Sequence, residues 1–118
     1  METDQYRQLV SLLLPEGLLD YFALTEVGSD KGLLCIYLEE KNITPEEYKT
    51  QSLHSKGFYP EVRIHDFPIR GKKVLLCIKR RRWEVVETGE IVHRNWDLVR
   101  QGTRMTTEFA LFLKGIFG

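Results

Sequence analysis

The chain has 118 residues, 42% of them hydrophobic and 29% charged, and its 17 basic side chains balance 17 acidic ones. This composition predicts one globular domain over residues 1–118 and excludes a membrane helix, because no apolar run approaches the roughly 20 residues that such a helix needs. The acidic N-terminus lacks an export signal, so we expect a cytoplasmic protein. Neither Cys35 nor Cys77 belongs to a Cys-x-x-Cys pair, which excludes a zinc site built on paired thiolates.

The neutral net charge hides an asymmetry between the two halves of the chain. Residues 1–60 contain 5 basic and 10 acidic side chains, whereas residues 61–118 contain 12 basic and 7 acidic ones. An acidic half followed by a basic half indicates that the second half faces a polyanion. The sequence pI near 6.8 argues against strong non-specific affinity of the whole chain for nucleic acid.

The first part of the chain predicts two helical segments and a hairpin. Residues 3–14 form a helical pattern whose apolar stripe is Tyr6, Leu9, Val10 and Leu13. Pro15 ends this helix, and residues 15–19 predict a short second turn. The apolar runs 22–27 and 33–38, joined by residues 28–32, predict two strands of a hairpin.

The middle of the chain predicts shorter elements. Residues 44–48 predict a single helical turn that Thr44 caps, and residues 51–59 predict a loop that pairs weakly at a sheet edge. Alternation over residues 61–66 predicts a strand, after which residues 67–71 turn the chain into a second strand.

That second strand ends in the most informative run of the sequence. Val74–Ile78 is continuously apolar, and four cations and a tryptophan follow it at residues 79–83. Because alternate residues of a strand face opposite ways, burial of both faces cannot continue through this run. We therefore expect the strand to leave the core near Ile78 and to carry a basic tip into solvent or onto an anionic partner.

The last part of the chain predicts a further hairpin and a helix. Runs 84–86 and 91–94 flank a turn at residues 87–90, and a two-residue loop there would place Trp83 opposite Arg94. A clean apolar face predicts a C-terminal helix at about 103–117. Together the elements predict an α+β fold, an antiparallel sheet with β-hairpins on which the N-terminal and C-terminal helices pack. The abrupt end after Phe117-Gly118 predicts that the chain is the front part of a longer unit.

Catalytic patterns are scarce. His54, His65 and His93 lack metal-ligand spacing, and neither a nucleophile elbow nor a Gly-rich phosphate loop occurs. The acidic residues around the last hairpin could suggest a metal-dependent nuclease, but their spacing is that of a solvated face. We expect a protein that is not an enzyme and that uses no metal or cofactor.

Basic residues with interleaved aromatics give a stronger signal, since arginine and exposed aromatic rings suit phosphate and base contacts. For Trp83 and Trp96, partial burial under the hairpin is the alternative to base stacking. The predicted DNA-binding residues are Lys72, Lys73, Lys79, Arg80, Arg81, Arg82, Trp83, Arg94, Arg100 and Arg104.

Six segments follow one another along nearly the whole chain: Leu14-Pro15-Glu16-Gly17-Leu18-Leu19-Asp20-Tyr21-Phe22, Tyr37-Leu38-Glu39-Glu40-Lys41-Asn42, Ser55-Lys56-Gly57-Phe58-Tyr59-Pro60, Asp66-Phe67-Pro68-Ile69-Arg70-Gly71-Lys72-Lys73, Lys79-Arg80-Arg81-Arg82-Trp83 and Gly102-Thr103-Arg104-Met105-Thr106. In this order they resemble the N-terminal region of bacterial insertion-sequence transposases. A more distant likeness is to transposases with an N-terminal zinc ribbon, but Glu84 stands where the first cysteine of that ribbon would be.

The resemblance implies a non-catalytic DNA-binding and assembly region of a transposase, with the catalytic domain in a following reading frame. The implied partners are the terminal inverted repeats of the mobile element and the transposase catalytic subunit, and the implied location is the bacterial nucleoid. The alternative is a protein-interaction module that docks on the catalytic subunit or forms a homodimer through Phe112, Ile116 and Phe117, without touching DNA.

Overall fold

The computed structural model describes residues 2–15 and 17–96. Its helices are α1 (Glu2–Leu13), α2 (Leu18–Tyr21) and one 3-10 turn (Glu46–Tyr48). Its strands are β1 (Phe22–Asp30), β2 (Leu33–Glu40), β3 (Leu53–Phe58), β4 (Val62–Ile69), β5 (Lys72–Lys79), β6 (Arg81–Val85) and β7 (Ile91–Val92). The α+β class is therefore confirmed, whereas the predicted C-terminal helix and residues Arg100 and Arg104 lie outside the described residues.

The strands form two sheets. Strands β1, β2, β5 and β4, in that spatial order, make a four-stranded sheet, and β3, β6 and β7 make a three-stranded one. The sheets are mostly antiparallel, and the hairpin of β1 with β2 is confirmed. One pairing differs from the predicted antiparallel arrangement, because β2 runs parallel to β5 over the register Leu33–Lys73 to Glu39–Lys79. This parallel pair joins two hairpins, β1–β2 and β4–β5, side by side.

Each of these hairpins closes in a two-residue loop with positive φ at both positions. Lys31 and Gly32 have φ of 49° and 79°, and Arg70 and Gly71 have φ of 54° and 77°. Positive φ at both central residues is the type I′ geometry, which matches the twist of the flanking strands. The loops are thus shorter than the predicted turns at 28–32 and 67–71.

The central strand β5 is buried on both faces, as its continuous apolar run predicts. Val74, Leu76 and Ile78 share one face with Ile36 and Leu38 of β2, and each of the five is at most 2% exposed. Leu75 and Cys77 lie on the opposite face and are also buried. A strand between two paired neighbours can bury both faces because its backbone groups are hydrogen-bonded on both sides.

The chain does not carry the basic run into solvent as a free tip, contrary to the prediction. Strand β5 ends at Lys79, and after Arg80 alone the chain enters β6 of the second sheet. There Trp83, Val85 and Val92 form a small core, against which Tyr48 and Leu53 pack. The chain enters the second sheet because the apolar residues that follow the cations are buried there and not in the first sheet.

The register of the last hairpin also differs from the predicted one. Trp83 lies opposite Val92 and Glu84 lies opposite Ile91, so Trp83 does not face Arg94. The loop spans Val86–Glu90 rather than two residues, and the Val85 backbone N–H donates to the carbonyl of Glu90 at 2.8 Å. Strand β3, where a weakly pairing loop was predicted, lies at the edge of this sheet. Earlier in the chain, the N-cap of the 3-10 turn is Pro45 and not the predicted Thr44.

The chain divides into two compact units. Residues 22–93 form one unit, and the described residues before and after them belong to the other. In the latter unit Val10 of α1 and Leu14, which directly follows the helix, are buried. Val10 therefore lies inward as the predicted stripe requires, whereas Leu9 and Leu13 of that stripe are exposed.

No helix within residues 2–15 and 17–96 is long and apolar enough to cross a membrane. The same residues contain no group of three or more histidine, cysteine, aspartate or glutamate side chains that could hold a metal ion.

Candidate nucleic-acid interface

Within the unit of residues 22–93, the predicted DNA-binding residues separate into two groups at opposite ends of β5. Lys72 and Lys73 begin the strand and Lys79 ends it. Seven residue steps at about 3.3 Å each place the two groups roughly 23 Å apart. A basic surface that is continuous in sequence is therefore two surfaces in the fold.

Acidic residues of β2 compensate the charge at the Lys79 end. The Lys79 ammonium lies 3.9 Å from a carboxylate oxygen of Glu39. The backbone N–H of Arg81 donates to Oε1 of Glu40 at 2.9 Å, and Nε of Arg81 donates to the Glu40 carbonyl at 3.0 Å. The Arg81 guanidinium also donates to the hydroxyl of Ser55. Arg81 thus joins two sheets, and its donors are directed at the protein.

Arg80 and Arg82 gather around an aromatic ring. Their guanidinium carbons lie 4.2 Å and 5.7 Å from the ring centroid of Tyr59, and the ring of His93 meets Tyr59 edge-on at 6.3 Å. Such cation–π contacts contribute about 0.5–1 kcal/mol each at partly exposed sites. Both arginines are half-buried, so they are anchored on the protein surface rather than extended from it.

Trp83 and Arg94 are buried and offer no surface to DNA, so both leave the predicted contact set. Trp83 is 1% exposed, and its indole N–H donates to Oδ1 of Asn42 at 3.0 Å. Arg94 is 4% exposed and lies over the rings of Tyr21 and Trp96, at 5.0 Å and 5.9 Å from their centroids. Trp96 is also buried, so both tryptophans are buried in the protein and neither ring is exposed for base stacking.

The opposite end of the four-stranded sheet carries a second basic group, which we call the hairpin end. Parallel pairing of β2 with β5 sets the Lys31–Gly32 loop beside the start of β5, and the backbone N–H of Lys73 donates to the Gly32 carbonyl at 3.1 Å. The hairpin end thereby unites four exposed cations, which are Lys31, Arg70, Lys72 and Lys73.

The four cations of the hairpin end are uncompensated by ion pairs. None of them lies within 4.0 Å of a carboxylate among the described residues. Asp30 and Asp66 also lie at this end, so two cations are in excess. Exposed like charges on neighbouring strands repel one another, and this repulsion falls when an anion binds.

An exposed aromatic ring accompanies these cations. Between the pairs Asp66–Val74 and Ile69–Lys72, strand β4 has two residues, Phe67 and Pro68, where β5 has only Lys73. This β-bulge redirects the side chains of β4, as bulges commonly do. Phe67 is 79% exposed, and its ring makes no aromatic or cation contact with another described residue.

A cavity of about 280 Å³ lies on the face of the four-stranded sheet that contains Cys77. Burial, followed by the charge of Glu61, raises the pKa of the Cys77 thiol. A raised pKa disfavours the thiolate, which is the nucleophilic form. The cavity therefore offers no activated cysteine. Its lining includes Thr25, Glu26, Tyr37, Glu61, Cys77 and Lys79.

Sequence reasoning found Lys72 and Lys73 but missed Lys31 and Arg70. The signal for the latter two was a basic residue before glycine between two apolar runs, which is typical of a two-residue hairpin loop. Their proximity depends on the parallel pairing of β2 with β5, for which no local pattern exists. Comparison with known proteins finds no matching family model, curated protein or solved structure.

Proposed function

We propose that the chain is a non-catalytic DNA-binding and assembly region of a bacterial insertion-sequence transposase. It acts in the cytoplasm at the nucleoid, binds the terminal inverted repeats of the element and works with the catalytic subunit. Segments that resemble such regions support the family, and the hairpin end supports the DNA contact.

The observation that carries the DNA contact is the set of four exposed cations at the hairpin end. Phosphate contacts from lysine and arginine supply most of the sequence-independent affinity of DNA-binding proteins. The Lys79 end is a weaker candidate, since Glu39 and Glu40 engage Lys79 and Arg81. Lys72 and Lys73 thus keep their predicted role, and Lys31 and Arg70 join them.

Fluorescence anisotropy with labelled terminal-repeat duplex tests the proposal. Contact with about four phosphates predicts that the logarithm of the affinity falls with the logarithm of salt concentration at a slope near −3.6. Replacing the four cations should bring the slope close to zero. Asparagine suits positions 31 and 70 because it tolerates positive φ, and glutamine suits the strand positions. The variant is Lys31→Asn, Arg70→Asn, Lys72→Gln and Lys73→Gln.

A charge-matched control separates a local contact from a general charge effect. It removes four cations from other positions on the chain and should keep the wild-type slope. An equal loss of affinity in both variants would refute a site at the hairpin end. Absence of wild-type binding at low salt to both the duplex and the separated strands of the terminal repeat would refute the DNA-binding function itself. The control variant is Lys41→Gln, Lys49→Gln, Lys56→Gln and Arg63→Gln.

One observation favours the alternative function, a protein-interaction module. Three leucines of α1, Leu9, Leu12 and Leu13, are 62%, 77% and 52% exposed. Leu12 and Leu13 follow Leu9 by three and four residues, so the three lie on one side of the helix. Association through this face predicts a mass that rises with concentration and falls to that of a monomer in Leu12→Asp. Sedimentation equilibrium measures this mass. The residues that the sequence predicts for association, Phe112, Ile116 and Phe117, lie outside the described residues.

A further inference from the structure

We infer that the hairpin end binds single-stranded DNA, with Phe67 as the platform on which one unpaired base stacks and the surrounding cations as the phosphate contacts. This inference rests on the proposed DNA-binding function and specifies the form of DNA. It is carried by the juxtaposition of an exposed phenyl ring with the four cations of the hairpin end.

The exposure of Phe67 has no explanation within the described fold. Its ring is 79% exposed in a strand whose other apolar residues, Val62, Ile64 and Ile69, are half-buried. Leaving a phenylalanine in water forgoes about 1.5–3 kcal/mol of burial free energy. A single exposed apolar side chain is ordinary on a protein surface, so it is the position of this ring beside the cations of the hairpin end that points to a ligand. The bulge formed with Pro68 holds the ring at this position.

The flanking charges indicate the chemistry of that ligand. Lys73 lies directly opposite the bulge, and Lys72 pairs with Ile69 beside it. Arg70 and Lys31 occupy the two adjacent loops. An aromatic ring next to several cations suits a molecule that alternates flat apolar rings with negative charges. A nucleic-acid strand has this alternation, because every base has a flat face and every linkage has a phosphate.

The exposed ring of Phe67 favours a single strand over a duplex. Inside a duplex, each base face is covered by its neighbours. The ring of Phe67 can meet a base face only where the base is unstacked, and an unpaired strand offers such bases.

Anisotropy with two probes tests the inference on the full chain. One probe is a labelled oligothymidylate of about 12 nucleotides and the other is the terminal-repeat duplex. We expect Phe67→Ala to weaken oligothymidylate binding by about 5- to 150-fold and to leave duplex binding unchanged, as loss of one stacked base predicts. The control Val86→Ala removes another exposed apolar side chain, 50% exposed in the loop after β6, and should change neither affinity.

A fluorescence measurement keeps the test independent of that variant. In Phe67→Trp the new indole is exposed, whereas Trp83 and Trp96 are 1% and 5% exposed. Stacking predicts that oligothymidylate quenches the new emission and that binding is at least as tight as in the wild type. Circular dichroism confirms that each variant is folded.

The outcomes separate this inference from the proposed function. DNA binding stands if the wild type binds duplex and the four-cation variant loses that binding. Stacking is refuted if, in the same experiment, Phe67→Ala binds oligothymidylate as tightly as the wild type does. Tighter wild-type binding to duplex than to oligothymidylate also refutes the inference. If the wild type binds neither probe at low salt, the proposed function and the inference fall together.

Discussion

Glu40 and Arg81 are joined by reciprocal hydrogen bonds that connect the two sheets. The carboxylate of Glu40 accepts from the backbone N–H of Arg81, and the Arg81 guanidinium donates to the backbone carbonyl of Glu40. Glu40 ends β2 and is 1% exposed, and Arg81 begins β6. The point at which the chain changes sheets is thus fixed by a carboxylate from a strand of the first sheet.

This relationship predicts an order of stability among three variants. Glu40→Ala leaves the Arg81 N–H without its charged acceptor and should lower the free energy of unfolding by about 2–3 kcal/mol. Glu40→Gln keeps an oxygen acceptor and should cost about half of that. Glu39→Gln removes only a half-exposed ion pair with Lys79, which contributes about 0–1 kcal/mol. Urea unfolding at neutral pH measures all three, and a loss in Glu39→Gln equal to that in Glu40→Ala would contradict this account.

The Glu40–Arg81 contact also shows where sequence reasoning stops. Two acidic residues at a strand end and four cations in a row are both typical of solvated surface, and nothing local indicates that they meet. The partners are 41 residues apart in the chain. The expectation of a free basic tip failed for this reason, because the partial burial of Arg81 depends on an acceptor that only the folded arrangement supplies.

Other elements could be read from the sequence because their causes are local. The hairpin of β1 with β2 has its glycine at the loop, and β5 has a continuous apolar run that fits a strand covered on both faces. Parallel pairing of β2 with β5 has no such signal, since both strands are apolar and could pair in either direction. The hairpin end follows from that pairing, so half of its cations were not predicted as a site.

The loop glycines provide a second prediction. Gly32→Ala and Gly71→Ala should each lower the free energy of unfolding by about 1–2 kcal/mol, because φ values of 79° and 77° are unfavourable for a residue with Cβ. An added Cβ would meet nothing within 4 Å at either position, so the cost is conformational rather than steric.

Gly28 is the matched control for this pair of variants. It lies in β1 with negative or extended φ, and a Cβ there also meets nothing within 4 Å. Gly28→Ala should therefore be neutral or stabilise by about 0.4–1 kcal/mol through the unfolded state. Equal losses in all three alanine variants, measured by thermal unfolding, would show that the loop geometry is not the cause.

The buried indole of Trp83 provides a third prediction. Asn42→Ala removes the acceptor of the indole N–H and should cost about 1–3 kcal/mol, the usual penalty for an unsatisfied buried donor. Asn42→Asp keeps an oxygen at this position and should recover most of that loss. Urea unfolding followed by circular dichroism checks the order. If Asn42→Asp is as unstable as Asn42→Ala, the hydrogen bond is not what Asn42 contributes.

The fourth prediction concerns alkaline pH. Burial raises the pKa of Cys77 from its ordinary value of 9.0, and the charges of Cys77 and then Cys35 raise the pKa of Tyr37 from 10.0. A raised pKa means that the native state holds its protons to higher pH than the unfolded chain does. For each group, the native state binds more protons than the unfolded chain at any pH between the ordinary pKa and the raised one. The stability contribution is therefore fully present below pH 9 and declines as the pH rises through this range.

Cys77→Ala tests the origin of that decline. The substitution removes a titrating thiol and also the largest cause of the raised pKa of Tyr37, so the slope of unfolding free energy against pH should flatten above about pH 9. A lower stability at every pH is expected from the lost side chain and does not affect the slope. Val86→Ala, which removes no titrating group, should keep the wild-type slope. An unchanged slope in Cys77→Ala would assign the alkaline loss to other groups, such as Tyr21 and Tyr48, whose pKa values burial also raises.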